Sequence, residues 1–164
     1  MPDQYTISST ASAQDVQDVA RLFGMYVATL GVDLSYQNFD AELSGLPGKY
    51  SAPAGTLLIA RDARGNAVGC VGIRPLREIG SCEVKRLFTL PGTRGSGLGR
   101  SLARAAIEEA RSMGYGLVRL DTLPTMGAAI RLYEKLGFER CPAYYAPTPT
   151  GTIFMAKRLR SHLR

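Results

Sequence analysis

Three glycines within five residues, Gly95, Gly97 and Gly99, set the strongest limit on how this chain folds. They follow an extended run at 81–90 and precede residues with helical apolar spacing. The first turn of a helix leaves backbone N–H groups without internal acceptors, and the helix dipole adds partial positive charge there. Glycines allow a ligand to approach those donors closely, so the loop predicts a site for an anion of pyrophosphate size.

Two common phosphate-binding loops do not match this segment. The dinucleotide fingerprint GxGxxG needs a third glycine where this chain has Arg100. The nucleoside-triphosphate loop needs a lysine followed by serine or threonine, but no lysine occurs between Lys85 and Lys135. A glycine-rich turn that binds no ligand is the other interpretation of the loop.

The remaining patterns predict a mixed α/β sheet in a single domain of residues 1–164. Extended apolar runs predict strands at 5–9, 56–60, 67–73, 81–90, 117–123 and 152–159, the first of them at a sheet edge. Apolar residues at steps of three and four predict helices at 12–31, 36–43, 98–113 and 129–136. Ser12 is the expected cap at the start of the first helix, and Gly31 ends it. Strands and helices mixed in this order indicate a sheet with helices packed on it, and 164 residues suit one domain.

The charge is distributed unevenly along the chain. Residues 1–50 hold two cations and six anions, a net charge of −4, whereas residues 51–164 hold 18 cations and 8 anions, a net charge of +10. A polyanionic partner is therefore expected to meet the later part. Phosphorylated cofactors and nucleic acid both fit this charge. Because the lysines and arginines are scattered and no RNA- or DNA-binding motif is present, nucleic acid is not the expected partner.

Composition argues against three further classes of protein. The three cysteines form no CxxC pair and have no nearby histidine, which does not suit a zinc site or a disulfide scaffold. The first residues lack a basic segment followed by an apolar one, and no run of 18 apolar residues occurs. We therefore expect no metal, no membrane association and a cytoplasmic location.

Two motifs resemble those of the GNAT superfamily of N-acetyltransferases. Arg94-x-x-Gly97-x-Gly99 resembles the coenzyme A signature of that superfamily, Arg/Gln-x-x-Gly-x-Gly/Ala. The segment 129–138, AIRLYEKLGF, is similar to the LYxxLGF segment that closes the same domain. The resemblance implies a mostly antiparallel sheet with one splayed parallel pair, about four flanking helices, and acetyl-CoA as the acetyl donor. It also allows a homodimer, since dimers are common in the superfamily.

The resemblance assigns coenzyme A to two stretches of main chain. The strand before the glycine loop would bend at a bulge and pair with the pantetheine arm and the thioester oxygen through Leu87, Phe88 and Thr89. The pyrophosphate would lie over Arg94, Gly95, Ser96, Gly97, Leu98, Gly99 and Arg100, held mainly by backbone N–H groups. The two arginines either add charge to this site or remain solvated. Met126 stands where many relatives have an asparagine that contacts pantetheine, so an apolar or main-chain contact is expected there.

Tyr133 matches the tyrosine of the superfamily that donates a proton to the departing thiolate of coenzyme A. A phenol suits this role because its ordinary pKa of about 10 keeps it protonated at pH 7. Its helical spacing with Ala129 and Leu136 is equally typical of a tyrosine that faces the core. The residues alone leave both interpretations open.

Glu83 lies eleven residues before Arg94, the offset of the glutamate that acts as general base in some members of the superfamily. An acceptor ammonium must lose a proton before it attacks, and a carboxylate accepts that proton directly or through water. Strand alternation places Glu83, Lys85, Leu87 and Thr89 on one face. A pairing of Glu83 with Lys85 or with a neighbouring strand is therefore the alternative, and many relatives deprotonate the amine through water chains.

The sequence gives weaker functional evidence for four further residues. Tyr144 and Tyr145 lie in a proline-rich final loop, which in this superfamily often borders the acceptor pocket, so they are expected to line it. Cys82 has no histidine partner and is expected in the core. His162, within a basic tail, is expected to be solvated.

The predicted function is transfer of acetyl from acetyl-CoA to a primary amine by direct attack in a ternary complex. In relatives the first helices form one wall of the acceptor site, and residues 1–50 are acidic here, so a cationic amine is the expected acceptor. The alternative is a coenzyme A-binding sensor or interaction module without turnover.

Overall fold

Strands and helices follow one another in the order that the hydrophobic spacing predicts. The computed structural model describes residues 4–160, apart from the side chains of residues 35 and 36. Its strands are β1 (Tyr5–Ser9), β2 (Thr56–Asp62), β3 (Ala67–Pro75), β4 (Ser81–Thr89), β5 (Leu117–Thr122), β6 (Glu139–Arg140) and β7 (Ile153–Arg158). Its α-helices are α1 (Ala13–Leu30), α2 (Phe39–Ser44), α3 (Leu98–Ser112) and α4 (Gly127–Lys135), and short 3-10 helices lie at Leu34–Gln37, Gly48–Tyr50 and Pro91–Thr93.

Across the described residues the strands form a seven-stranded sheet in the order β1-β2-β3-β4-β5-β7-β6. Neighbouring strands are antiparallel except β4 and β5, which run parallel. The predicted mixed α/β fold with one parallel pair and four flanking helices is confirmed. β1 lies at the sheet edge as predicted, whereas β6 was not predicted because two residues are too short for an alternating pattern.

Apolar side chains form a buried cluster on each face of the sheet. On one face α3 and α4 contribute Leu102 and Tyr133 to the cluster. On the other face α1 and α2 contribute Phe23 and Phe39. Because both faces are covered, the central strand β3 is buried from Ala67 to Ile73.

The first helix begins and ends where the sequence predicts. The side chain of Ser12 accepts a hydrogen bond from the backbone N–H of Asp15 at 3.1 Å, and the Asp15 carboxylate accepts one from the backbone N–H of Ala11 at 2.9 Å. Gly31 ends the helix in the left-handed conformation at φ 69°. The cap satisfies N–H groups that the first turn leaves without acceptors.

The single helix predicted at 36–43 is replaced by two shorter segments. The 3-10 helix Leu34–Gln37 and α2 are separated by Asn38, which has φ 55°. Asparagine adopts the left-handed conformation more readily than most residues, so it allows the chain to turn here. The turn separates Gln37, which hydrogen-bonds to Asp121 in β5, from the helix that carries Glu42.

A β-bulge in β4 overturns the strict alternation predicted along this strand. Gly72 pairs with Lys85 but Cys70 pairs with Phe88, so one residue of β3 faces two residues of β4. Arg86 lies in the bulge at φ 62°. As a result Leu87 packs against the α3 cluster instead of sharing a face with Glu83 and Lys85.

Cys82 is buried among the apolar residues of the α3 face, as its lack of a histidine partner predicts. His162 of the basic tail lies outside the described residues. Among residues 4–160, none of the helices has the length and apolar character needed to cross a membrane.

Candidate active site

The parallel strands β4 and β5 separate part-way along their length and open a slot in the sheet. They pair through Ser81, Cys82 and Glu83, and within the described sheet their ladder ends there, although β4 continues to Thr89. The bulge at Arg86 bends β4, because an extra residue on one strand disrupts the local ladder. The slot between the strands has a volume of about 40 Å³, and Lys85 of β4 contacts Asp121 of β5 across it at 3.3 Å.

Side chains from two helices and a strand line the slot. Tyr26 of α1, Leu87 of β4, Met126 at the start of α4 and Tyr133 of α4 all contribute to its wall. The sulfur of Met126 lies 4.0 Å from the Tyr26 hydroxyl. Met126 therefore gives this wall a thioether, a weak acceptor that donates no hydrogen bond.

The side chains of Leu87, Phe88 and Thr89 have different surroundings. Leu87 lines the slot, whereas the ring of Phe88 is buried against Tyr26 with ring centroids 5.9 Å apart. Thr89 pairs with Gly69 of β3. Phe88 and Thr89 are thus held by packing and by the β3 ladder.

Tyr133 combines a packed ring with a place in the slot wall. Its ring meets Phe138 edge-on at 5.5 Å, and the residue is buried. Burial raises the pKa of Tyr133, and Tyr26 and Asp121 add to the rise. The phenol is therefore protonated at neutral pH and can donate a proton into the slot.

The glycine loop leads into α3 with its backbone exposed. Gly95 and Gly97 have φ of 84° and 85°, a conformation that favours glycine. An added Cβ at Gly95, Gly97 or Gly99 would meet no protein atom within 4 Å, so open space lies over all three residues. Arg94, Ser96 and Arg100 are exposed beside them, whereas the side chain of Leu98 is buried in the α3 cluster.

A buried ion pair braces the bulge beside the slot. The Arg86 guanidinium contacts the Glu42 carboxylate at 3.0 and 3.1 Å, and the two side chains are 4% and 7% exposed. Tyr50 donates a hydrogen bond to Glu42 at 2.9 Å, and Arg74 lies 3.4 Å away. Burial opposes ionisation of Glu42, but Arg86 outweighs burial and lowers the pKa of this carboxyl.

A second cavity, of about 350 Å³, lies beside the slot. Glu83 is in its wall with 2% exposure. One oxygen of Glu83 accepts a hydrogen bond from Arg74 at 2.9 Å, and the other accepts one from the Tyr144 hydroxyl and lies 3.9 Å from the Lys85 ammonium. Both pairings that the strand pattern offered as the alternative to catalysis are therefore present, and Glu83 still borders the cavity.

Lys85 and Gln37 mark the place where the cavity meets the slot, since both residues line each of them. The Lys85 ammonium lies 3.1 Å from the Gln37 carbonyl oxygen and 3.3 Å from Asp121. The Tyr145 hydroxyl donates to Asp121 at 2.7 Å and accepts from the Gln37 amide at 2.7 Å. Burial lowers the pKa of Lys85, although Glu83 and Asp121 oppose the change.

The family model for the Acetyltransferase (GNAT) family matches residues 25–138. That range is more than half of the chain and contains the slot, the glycine loop and Tyr133. The chain belongs to the GNAT family.

Relatives of this GNAT protein agree with the assignment. An uncharacterized N-acetyltransferase of Schizosaccharomyces pombe is 38% identical over 94% of this chain and 94% of its own length. YjgM, an uncharacterized N-acetyltransferase of Escherichia coli, is 34% identical over 98% of this chain and 96% of its own. A solved structure assigned as an acyl-CoA N-acyltransferase from Klebsiella pneumoniae is 32% identical, with a TM-score of 0.72 over 95% of this chain and 98% of that one. These relationships support acetyltransferase activity with a CoA-based acyl donor.

The residues of the GNAT protein fit such a donor. The open space over Gly95, Gly97 and Gly99 adjoins the first turn of α3, where the N–H groups have no acceptor within the helix. Such a turn suits a diphosphate. The parted edges of β4 and β5 suit an extended arm with amide groups.

The acidic residues that the structure describes in the N-terminal segment lie outside the wall of the second cavity. The acidic residues of the N-terminal segment are mostly engaged elsewhere: Asp15 and Asp18 pair with Arg61, and Glu42 pairs with Arg86. Asp33 and Asp40 line a separate depression. Among the described residues 4–50, none adds a carboxylate to the wall of the second cavity.

Several polar residues of the site were not assigned from the sequence. Gln37, Glu42 and Arg74 come from segments far apart in the chain, and no local pattern links them. Arg119 and Asp121 did carry a signal, because they are charged residues two apart in a strand that also holds Leu117, Val118 and Leu120. Polar side chains on one face of a buried strand indicate either a site or an ion-pair network.

Proposed function

We propose that the protein transfers acetyl from acetyl-CoA to a primary amine by direct attack within a ternary complex. One observation carries the proposal: the slot and the second cavity meet at Lys85 and Gln37, so a thioester placed at the slot and an amine in the cavity would be neighbours. Direct attack needs the two reacting groups side by side, since holding them together is itself a large part of catalysis. No covalent relay through the protein is required.

The donor is held chiefly by main chain in this proposal. Gly95, Gly97 and Gly99 offer backbone N–H groups to the diphosphate, with Arg94 and Arg100 exposed on either side. The N–H groups of Ser96 and Leu98 shape the loop instead, since they donate to the Thr93 carbonyl at 3.1 Å and to the Ser96 hydroxyl at 3.3 Å. Leu87, Phe88 and Thr89 offer main-chain groups to the pantetheine arm and to the thioester oxygen. When bound, the donor supplies an activated acetyl group and a thiolate leaving group.

Tyr133 is proposed as the general acid. The amine nitrogen forms a bond to the thioester carbon, the carbon–sulfur bond breaks, and the Tyr133 hydroxyl gives its proton to the leaving sulfur. Its raised pKa keeps that proton in place until the sulfur becomes basic. The phenol is restored by a proton from solvent.

Glu83 is proposed to accept the proton that the acceptor ammonium loses before attack, directly or through the Tyr144 hydroxyl that it holds. The second nitrogen proton leaves to solvent as the amide forms. Lys85 assists without touching the proton, because a neighbouring positive charge lowers the pKa of an acceptor ammonium. Tyr144 and Tyr145 form the wall of the acceptor cavity.

The test is release of free thiol from acetyl-CoA in the presence of a panel of amines. Tyr133→Phe should reduce kcat by about 100-fold, the usual size of a general-acid effect, with coenzyme A binding retained by calorimetry. Tyr5→Phe, on the edge strand β1, is the matched control and should keep full activity. Initial rates should give intersecting lines for the two substrates. Coenzyme A binding without thiol release from any amine would instead support a non-catalytic sensor.

A further inference from the structure

The wall of the acceptor cavity carries more positive than negative charge. Its ionisable residues are Arg74, Arg77, Lys85 and Arg119 against Glu78 and Glu83. Two carboxylates outside the wall contact two of these cations, Asp121 at 3.3 Å from Lys85 and Glu42 at 3.4 Å from Arg74. Arg77 and Arg119 are therefore the cations with the least buried carboxylate around them. Glu83 is already committed to Arg74 and to Tyr144. An acceptor that brought a second positive charge into this cavity would therefore meet repulsion, whereas a negative charge would be attracted.

The guanidinium of Arg119 is positioned to bind a carboxylate. It lies over the Tyr144 ring at 5.8 Å, and one of its nitrogens lies 3.6 Å from the Cys141 sulfur, so two neighbours restrain its position. Its other nitrogens contact the two oxygens of Glu78 at 3.1 and 3.5 Å. This is the two-point geometry by which arginine recognises carboxylates.

The carboxylate that now contacts Arg119 lies at the surface, where the Ser81 hydroxyl also donates to it at 2.7 Å. The side chain of Glu78 is 54% exposed and belongs to the connection between β3 and β4. Solvent-exposed ion pairs contribute little, so a ligand carboxylate can take the place of Glu78 at small cost. Arg77 is exposed beside it and has no carboxylate within ion-pair distance among the residues that the structure describes.

The positions of Arg119 and Lys85 along the sheet indicate how an acceptor would be oriented in the cavity. Arg119 is paired with Glu83 across the parallel ladder, and Lys85 lies two residues further along β4, at the mouth of the slot. Two residues of a strand span about 7 Å. The amine would face the slot near Lys85, and a negative group on the same small molecule would meet Arg119.

Resting on the proposed function, we propose that the acceptor is a small amine that carries a carboxylate, bound by Arg119 with help from Arg77. The cavity volume of about 350 Å³ holds such a molecule completely. The proposal replaces the cationic acceptor favoured by the charge of residues 1–50.

The experiment compares each acid with its own amide. Glycine, β-alanine, L-alanine and L-aspartate are assayed for thiol release beside their carboxamides and beside 1,4-diaminobutane. Removing the carboxylate leaves more of each amine unprotonated at pH 7, so the amides would react faster if the carboxylate were not recognised. We expect the acids to exceed the amides in kcat/KM by at least about tenfold.

Two variants locate the effect. Arg119→Gln should lower the ratio of acid to amide by about tenfold or more, whereas Arg104→Gln, an exposed arginine on α3, should leave the ratio unchanged. Equal or better reaction of the amides, or preference for the diamine, would overturn the carboxylate site and leave the acetyltransferase proposal standing.

Binding separates this inference from the proposed function. If no acceptor releases thiol, calorimetry of the same acids and amides in the presence of coenzyme A decides the matter. Tighter binding of the acids, lost in Arg119→Gln, supports the carboxylate site even though the proposed transfer has failed. Equal binding of acids and amides overturns it.

Discussion

Replacing Glu42 with glutamine measures how much the buried ion pair at the bulge contributes to stability. Glutamine keeps the shape of the side chain but removes its negative charge, so Arg86, 4% exposed, stays buried without a counter-ion. Removing one partner of a buried pair costs about 3–5 kcal/mol. Because Arg74 still contacts Glu83 at 2.9 Å, we expect only one stranded guanidinium and a loss of about 3 kcal/mol in the free energy of unfolding.

Urea unfolding followed by circular dichroism gives the free energy directly. A loss of about 3 kcal/mol corresponds to a fall in Tm of about 6–12 °C for a domain of this length. Glu108→Gln is the matched control, because it removes the same charge from an exposed pair with Arg111 on α3, with Glu108 53% exposed. The control should change stability by about 0.5 kcal/mol or less. A loss below about 1 kcal/mol for Glu42→Gln would refute the view that this pair holds the bulge.

Three further outcomes can be measured on the same protein. Gly97→Ala should lower the free energy of unfolding by about 1 kcal/mol because the φ of Gly97 is 85°. Gly24→Ala should raise it by about 1 kcal/mol, because Gly24 lies inside α1 with open space around the new methyl group. Equal shifts of the urea midpoint in the two variants would contradict this expectation. Burial raises the pKa of Cys82 to about 12, so iodoacetamide at pH 8 should label the half-buried Cys141 first, as mass spectrometry of peptides would show. The pKa of Glu42 is lowered on folding, so the ionised carboxylate stabilises the fold above its ordinary pKa of 4.5, and this stabilisation is lost as the pH falls below that value. The difference in unfolding free energy between wild type and Glu42→Gln should therefore shrink in acid. A difference that stays constant with pH would be inconsistent with the ion pair.

Local signals in the sequence were sufficient for most of the fold. The cap at Ser12, the stop at Gly31 and the glycine loop before α3 each depend on residues within a few positions of one another. Steric and hydrogen-bonding preferences act over that range, so their outcome can be deduced from a short segment. The position of Tyr133 on a buried helix face follows from spacing in the same way.

Features that depend on distant partners were not accessible in this way. Arg86 has a left-handed backbone that no local rule favours for arginine, and its partner Glu42 lies 44 residues earlier. The net charge of residues 1–50 likewise does not show which acidic residues face the second cavity, because Asp15 and Asp18 are engaged by Arg61 in β2. A sum of charges along a segment does not reveal which of them the folded chain neutralises.

The parting of β4 and β5 after Glu83 also bears on how such a domain changes over generations. Nearly every residue type has the same backbone N–H and C=O groups, so side chains along these strand edges can be substituted while the edges offer the same hydrogen-bonding groups. The neighbouring cavity depends on residue type instead, since side chains such as Arg119 and Tyr144 determine its shape and charge. On the proposed function, a lineage can therefore keep the same donor and acquire new acceptors through a few substitutions.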